Sequence, residues 1–164
     1  MRITLTFDGQ LSIFNMTIVQ SPGNAMIDDL RQILSISGNV SSRLQFGARI
    51  EQGLSSHTID RVKDVLGIPD IQLSAVLGIS AKTMSRLRQG RRRLPLPVGD
   101  RLYRLAHIFA LARDVLEDSG RAREWIQTAQ IGLNNRIPFD VLVTEAGARE
   151  VEDLLTRIEY GVLA

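Results

Sequence analysis

The side chains best suited to chemistry lie close together between residues 82 and 93. Thr83, Ser85, Arg86 and Gln89 project from the outward side of one short helical stretch, with Lys82 beside them, and none of the five is acidic. Hydroxyl and amide groups both donate and accept, and an arginine fork engages two acceptors at once. Thr83, Ser85, Arg86 and Gln89 are therefore equipped to read base edges in the major groove of DNA, and Lys82 to meet a phosphate. Arg88 and the run Arg91, Arg92, Arg93 come next. Their planar guanidinium groups match phosphate oxygens, so they read as backbone contacts that add affinity without sequence information. From Lys82 to Arg104 there are eight basic residues against one acid, Asp100, a net of +7.

Other chemistries find little support. The two histidines, His57 and His107, are fifty residues apart with no carboxylate at a metal-ligand spacing, and they read as surface or capping residues. There is no cysteine, which excludes disulfides and thiolate metal sites and suits a reducing cytoplasm. No glycine-rich phosphate loop, nucleophile elbow or paired-acid motif occurs. The expectation is a protein that is not an enzyme and needs no metal or cofactor.

The elements that must position the basic cluster follow from hydrophobic spacing. Pro69 suits the first turn of a helix that buries Leu73, Val76 and Leu77 and ends at Gly78; Ser80 then caps a second helix that buries Met84 and Leu87 and ends at Gly90. A small residue, Ser74, lets the two helices approach, and Gly78 turns the backbone between them. This is the pattern of a DNA-binding helix-turn-helix over about residues 69–90. In the same pattern alanine is commoner than serine at the Ser74 position.

Around this motif the chain reads as all-α after residue 26. Ile27, Leu30, Ile33 and Leu34 mark one helix, Phe46 and Ile50 a second, and Ile59, Val62 and Leu66 a third, with Ser56 as its cap and Gly67 as its stop. Pro95 and Pro97 are expected to hold an extended link. The longest helix, roughly Val98 to Glu117, carries two apolar stripes, as expected of a central helix or a dimer seam. Ser119 is expected to cap the next helix and Asn134-Asn135 to break it. Pro138 begins a short turn of helix, and Thr144 caps the last, with Gly147, Val151, Leu154 and Ile158 inward. Residues 1–25 form an N-terminal extension, flexible or a weak hairpin around Asp8-Gly9. The remainder divides into a helical region with the DNA-binding motif at 26–96 and a long helix with a C-terminal helical region at 97–164.

With 164 residues, 44% of them hydrophobic, a sizeable core is possible. No apolar stretch approaches the roughly 20 residues of a membrane span, so the chain reads as soluble. Charge reverses toward the C-terminus, where residues 138–164 hold six acids against Arg149 and Arg157. In the last helix Arg149, Glu150, Asp153, Arg157 and Glu159 face outward. Gly161 then releases Val162, Leu163 and Ala164 as a short apolar tail.

From about Met26 onward the chain resembles the antitoxin family known as Xre/MbcA/ParS. The resemblance is carried by the helix-turn-helix, by Arg91-Arg92-Arg93-Leu94-Pro95 with Arg101-Leu102 following, and above all by the ending. That ending contains Ile137-Pro138-Phe139-Asp140-Val141-Leu142, Thr144-Glu145-Ala146-Gly147-Ala148, Val151-Glu152-Asp153-Leu154-Leu155 and Arg157-Ile158-Glu159-Tyr160-Gly161-Val162. The resemblance implies a cytoplasmic homodimer, the antitoxin of a type II toxin-antitoxin system. It also implies a RES-domain toxin that depletes NAD as partner, and repression of the antitoxin's own operon through operator DNA. The toxin-binding residues would be Arg149, Asp153, Arg157, Glu159, Tyr160, Gly161, Val162, Leu163 and Ala164. The rival expectation is a free-standing helix-turn-helix transcription regulator without a toxin partner.

Overall fold

Helix starts and stops follow the local chemistry of the chain. The computed structural model describes residues 22–38, 40–90 and 92–162. The N-terminal extension or hairpin expected over residues 1–25 lies outside them except for Pro22 to Ala25, which already belong to the first helix. The elements are α1 (Pro22–Ile33), α2 (Arg43–Glu51), α3 (His57–Leu66), α4 (Asp70–Leu77), α5 (Ala81–Gln89), α6 (Leu96–Leu116), α7 (Ser119–Gln127), a 3-10 turn (Ile131–Leu133), α8 (Pro138–Val141) and α9 (Glu145–Glu159). Among the described residues there is no strand, only isolated bridges at Ser55 with Arg93 and Gln130 with Arg136. The fold is all-α.

Four helices start on a side-chain cap: Ser42, Ser80, Asp118 and Thr144 each accept a backbone N–H three residues on, satisfying donors that have no partner inside the helix. Asp118 rather than Ser119 caps α7, one residue earlier than expected, because its carboxylate reaches Arg121 N at 2.7 Å. Ser56 precedes α3 without making a capping bond. Pro97 is likewise not part of an extended link: α6 starts at Leu96 with Pro97 in its first turn, where a proline loses no helical hydrogen bond. The same tolerance places Pro22 at the start of α1, four residues before the expected helical pattern.

The two apolar stripes on α6 belong to a central helix. It packs against α1, α2, α3, α4, α7 and α9, and Leu102, Leu105, Ala106, Ile108, Phe109, Ala110 and Ala112 are all buried. Each large aliphatic or aromatic side chain so buried contributes about 1.5–3 kcal/mol of transfer free energy. One continuous core runs from Leu30 to Leu155, so the helix-turn-helix and the C-terminal helices share it.

The approach of α8 to α9 explains a glycine. A methyl group at Gly147 would overlap the backbone carbonyl of Val141, so only glycine lets the first turn of α9 close against α8. The buried face of α9 is Ala148, Val151, Leu154 and Leu155, with Ile158 half-buried. Gly147 faces the junction with α8 while its N–H donates to the Thr144 cap at 3.0 Å.

Candidate functional site

The helix-turn-helix consists of α4 and α5. Leu73, Val76, Leu77 and Met84 are buried, with Ile79 and Leu87 partly buried against the same core, and α4 packs on both α5 and α6. Gly78 adopts a left-handed conformation, φ +63°, which a residue with a Cβ takes only at a cost. Ser74 is 7% exposed and its hydroxyl donates to Ile71 O at 2.9 Å. A satisfied hydroxyl of small volume therefore stands in for the commoner alanine.

Lys82, Ser85, Arg86 and Gln89 are exposed on α5, and Thr83 is half-buried. Gln89 Nε2 donates to Ser85 Oγ at 3.3 Å, which pairs two groups one turn apart into a single polar surface. Thr83 is partly engaged at the helix start, where its backbone N–H donates to Ser80 Oγ at 3.1 Å and its hydroxyl accepts from the same atom at 3.0 Å. Lys82, Arg86 and Arg92 have no carboxylate partner among the described residues, so their charges are available to a polyanion. Arg91 lies outside the described residues.

Other cations of the +7 window are engaged within the chain. Arg88 was expected at a phosphate, but its guanidinium is held by Asp60 at 2.7 Å and by both oxygens of Asp70 at 2.7 and 3.0 Å. Hydrogen bonds from Arg88 and Lys63 hold the Asp70 carboxyl well below the usual carboxylate range, and the Asp70 bond raises Arg88. Arg93 donates to Gly53 O at 2.8 Å while Leu94 N donates to Leu54 O at 2.7 Å, so the segment after α5 is pinned to the α2–α3 loop. Arg101 donates to Leu77 O at the end of α4. Arg104 pairs with Asp100 at 3.1 Å and with Glu145, the first residue of α9, at 2.9 Å.

His107 is not the surface or capping residue expected. Its side chain is only 12% exposed, with Nε2 3.3 Å from Glu152 of α9, and its ring stacks on Tyr103 with centroids 6.0 Å apart. Tyr103 is itself pushed up in pKa by burial. His57 is exposed at the start of α3. Among the described residues no group of three or more His, Cys, Asp or Glu side chains has the geometry to hold a metal.

The second candidate surface is the end of α9. Arg149, Asp153 and Glu159 are exposed, Arg157 is half-buried, and Tyr160 and Val162 are left 74% and 59% exposed. Gly161 N and Val162 N donate back to Ile158 O and Arg157 O at 3.1 and 2.9 Å, a closure that satisfies the last carbonyls of the helix. Leu163 and Ala164 lie outside the described residues. Ile131, 83% exposed on the 3-10 turn, and Val143, 46% exposed between α8 and α9, are further apolar side chains that the sequence reading missed. Asp60, Lys63 and Asp70 were not singled out in the sequence, and Arg101 and Arg104 were counted there as basic charge without a partner; the i, i+3 spacing of Arg101, Arg104 and His107 along one helix was the available signal.

Two family models match the chain in tandem. Residues 45–107 match the antitoxin Xre-like helix-turn-helix domain, and residues 111–161 match the antitoxin Xre/MbcA/ParS C-terminal toxin-binding domain. A protein of Yersinia enterocolitica serotype O:8 / biotype 1B named Antitoxin Xre is 33% identical over 116 residues, covering 70% of this chain and 78% of the relative. Proteins of the same name from Photorhabdus laumondii subsp. laumondii and Pseudomonas putida are 26% and 24% identical, over 76% and 80% of this chain and 84% and 81% of theirs. With a helix-turn-helix whose second helix is exposed and basic, followed by a C-terminal helix that displays its end, and with these matches, the chain belongs to the Xre/MbcA/ParS antitoxin family.

Proposed function

We propose that the chain is the antitoxin of a type II toxin-antitoxin pair, that it binds and neutralises a RES-domain toxin which depletes NAD, and that it represses its own operon by binding operator DNA. The observation that carries this reading is the exposure of Tyr160 and Val162 just past α9, at the end of the stretch that matches a toxin-binding domain. Large, mostly apolar side chains held out just past a helix suit insertion into a cleft. The toxin face comprises Arg149, Asp153, Arg157, Glu159, Tyr160, Gly161, Val162, Leu163 and Ala164. Its acids complement a site that binds the phosphates of a cofactor.

On the DNA side, Thr83, Ser85, Arg86 and Gln89 read base edges, while Lys82, Arg91 and Arg92 meet phosphates, with Arg93 beside them. The protein acts in the cytoplasm as a homodimer, whose two recognition helices meet half-sites about 34 Å apart, one turn of the duplex. Residues 26–96 form the DNA-binding region and 97–164 the toxin-binding region.

The test is co-expression with a RES-domain toxin encoded beside it and purification through a tag on the antitoxin alone. Recovery of the toxin in a fixed ratio supports the reading. Recovery of the antitoxin without the toxin, together with specific operator binding, favours a free-standing regulator.

A further inference from the structure

Four charged side chains from three helices meet behind the recognition helix, in a cluster that neither the base contacts nor the toxin face uses. Arg88, on the last turn of α5, is 20% exposed and reaches Asp60 of α3 with Nε and Asp70 of α4 with Nη1. Its Nη2 completes a bidentate pair with the Asp70 carboxylate. Lys63 of α3 also reaches Asp70, at 2.8 Å. One guanidinium thus ties α5 to both preceding helices.

An isolated ion pair of this exposure contributes little to stability, but a bidentate fork in a network fixes orientation as well as distance. Apolar contact alone gives α5 a narrow footing: Met84 is its one fully buried side chain, with Leu87 partly buried against the same core. Arg88 lies four residues beyond Met84, one turn along, and adds a directional, charged attachment at the far end of the nine-residue helix. The arrangement also argues against a phosphate contact, because Nη1 and Nη2 already donate to the Asp70 carboxylate and Nε, buried without a hydrogen bond, lies 2.7 Å from the Asp60 carboxylate in an ion pair.

We propose that Arg88 is a positioning residue for sequence recognition: held by Asp60 and Asp70, it sets the pitch of α5 at which Ser85, Arg86 and Gln89 meet base edges. This rests on the DNA-binding reading above. The rival role, a phosphate contact that swings out from its acids on binding, predicts effects of opposite sign when those acids are neutralised.

The experiment compares the full-length protein with Asp60→Asn/Asp70→Asn and with Asp70→Glu, a variant that keeps the charge. Binding to the protein's own upstream DNA and to an unrelated duplex is measured over a series of salt concentrations, with hydrogen exchange of the α5 amides recorded on the same samples. The proposal expects the double variant to lose about tenfold in affinity for its own DNA. It expects binding to unrelated duplex and the salt slope to hold, exchange in α5 to accelerate, and Asp70→Glu to keep most of the discrimination. Tighter binding to both DNAs with a salt slope steeper by about one unit would make Arg88 a released phosphate contact and overturn the proposal. Unchanged discrimination in the double variant would overturn it as well. A wild-type protein that does not distinguish its own DNA from unrelated duplex overturns the DNA-binding reading itself, a result separate from a variant that still discriminates.

Discussion

Arginines of one chemical type perform different tasks here, and the difference lies in what surrounds each one. Arg86 and Arg92 are exposed without a carboxylate partner among the described residues, whereas Arg88 and Arg104 are bound to acids. A charge count along the chain registers all of them equally, because the partners lie far off: Asp70 is 18 positions from Arg88, and only folding brings them together. Replacing Arg91 and Arg92 by alanine is expected to weaken binding to all DNA alike and to flatten the dependence of log affinity on log salt by about one unit per lost phosphate contact. Arg104→Ala is expected to leave that slope unchanged, and an equal effect of the two would contradict the assignment. Acid stability reports on the other group. Because the folded-state pKa of Asp70 is depressed from 3.8, its contribution is fully present above that value and is lost as pH falls through the folded-state value. Urea unfolding at a series of pH values should show wild type more stable than Asp70→Asn by a constant margin at neutral pH, with the margin shrinking below about pH 4. A margin that grows on acidification would contradict the sign.

At the scale of the element, the helices were largely legible because they depend on local chemistry. Ser80, Gly78, Thr144 and Pro138 lie where their capping, turning and starting roles place them. The misreadings are also local: at Asp118-Ser119 two adjacent residues can both cap, and at Pro97 a proline fits a first turn as well as a link. What could not be read was close approach between elements, and two glycines separate the cases. Gly147→Ala drives a methyl group into the Val141 carbonyl and should destabilise the protein by about 1–3 kcal/mol, the usual range for overpacking. Gly47, inside α2, has open space where a methyl group would stand, so Gly47→Ala should stabilise by about 0.5–1 kcal/mol through helix propensity. Chemical denaturation of both variants checks the pair, and effects of the same sign would contradict this reading of the α8–α9 junction.

Across the whole molecule, α6 joins the two functions. Along one of its sides Arg101 holds the end of α4, Arg104 holds the start of α9, and His107 meets Glu152, while its apolar residues sit in one core. The width of its apolar stripes was visible in the sequence, but a dimer seam would have produced the same stripes, and only the packing of six other helices around it decides between them. The boundary expected at 96/97 falls at the start of this helix, whereas the two family matches meet within it, between 107 and 111. Because the core is shared, unfolding is expected to be a single transition. Fluorescence of Trp125, the one tryptophan, reports on α7, and circular dichroism reports on all helices; their urea midpoints should coincide. Two separated midpoints would mean that the DNA-binding and toxin-binding regions fold independently.

The proposed neutralisation of an NAD-depleting toxin through the residues that follow α9 is tested most directly by the NAD content of cells producing the proposed RES-domain toxin together with either the full chain or a chain stopped after Glu159. The full chain is predicted to hold NAD and growth at the level of toxin-free cells. The shortened chain, lacking Tyr160 to Ala164, is predicted to let NAD fall to the unprotected level while its helical circular dichroism is unchanged. NAD sustained by the shortened chain, or lost in the presence of the full one, would contradict the claim.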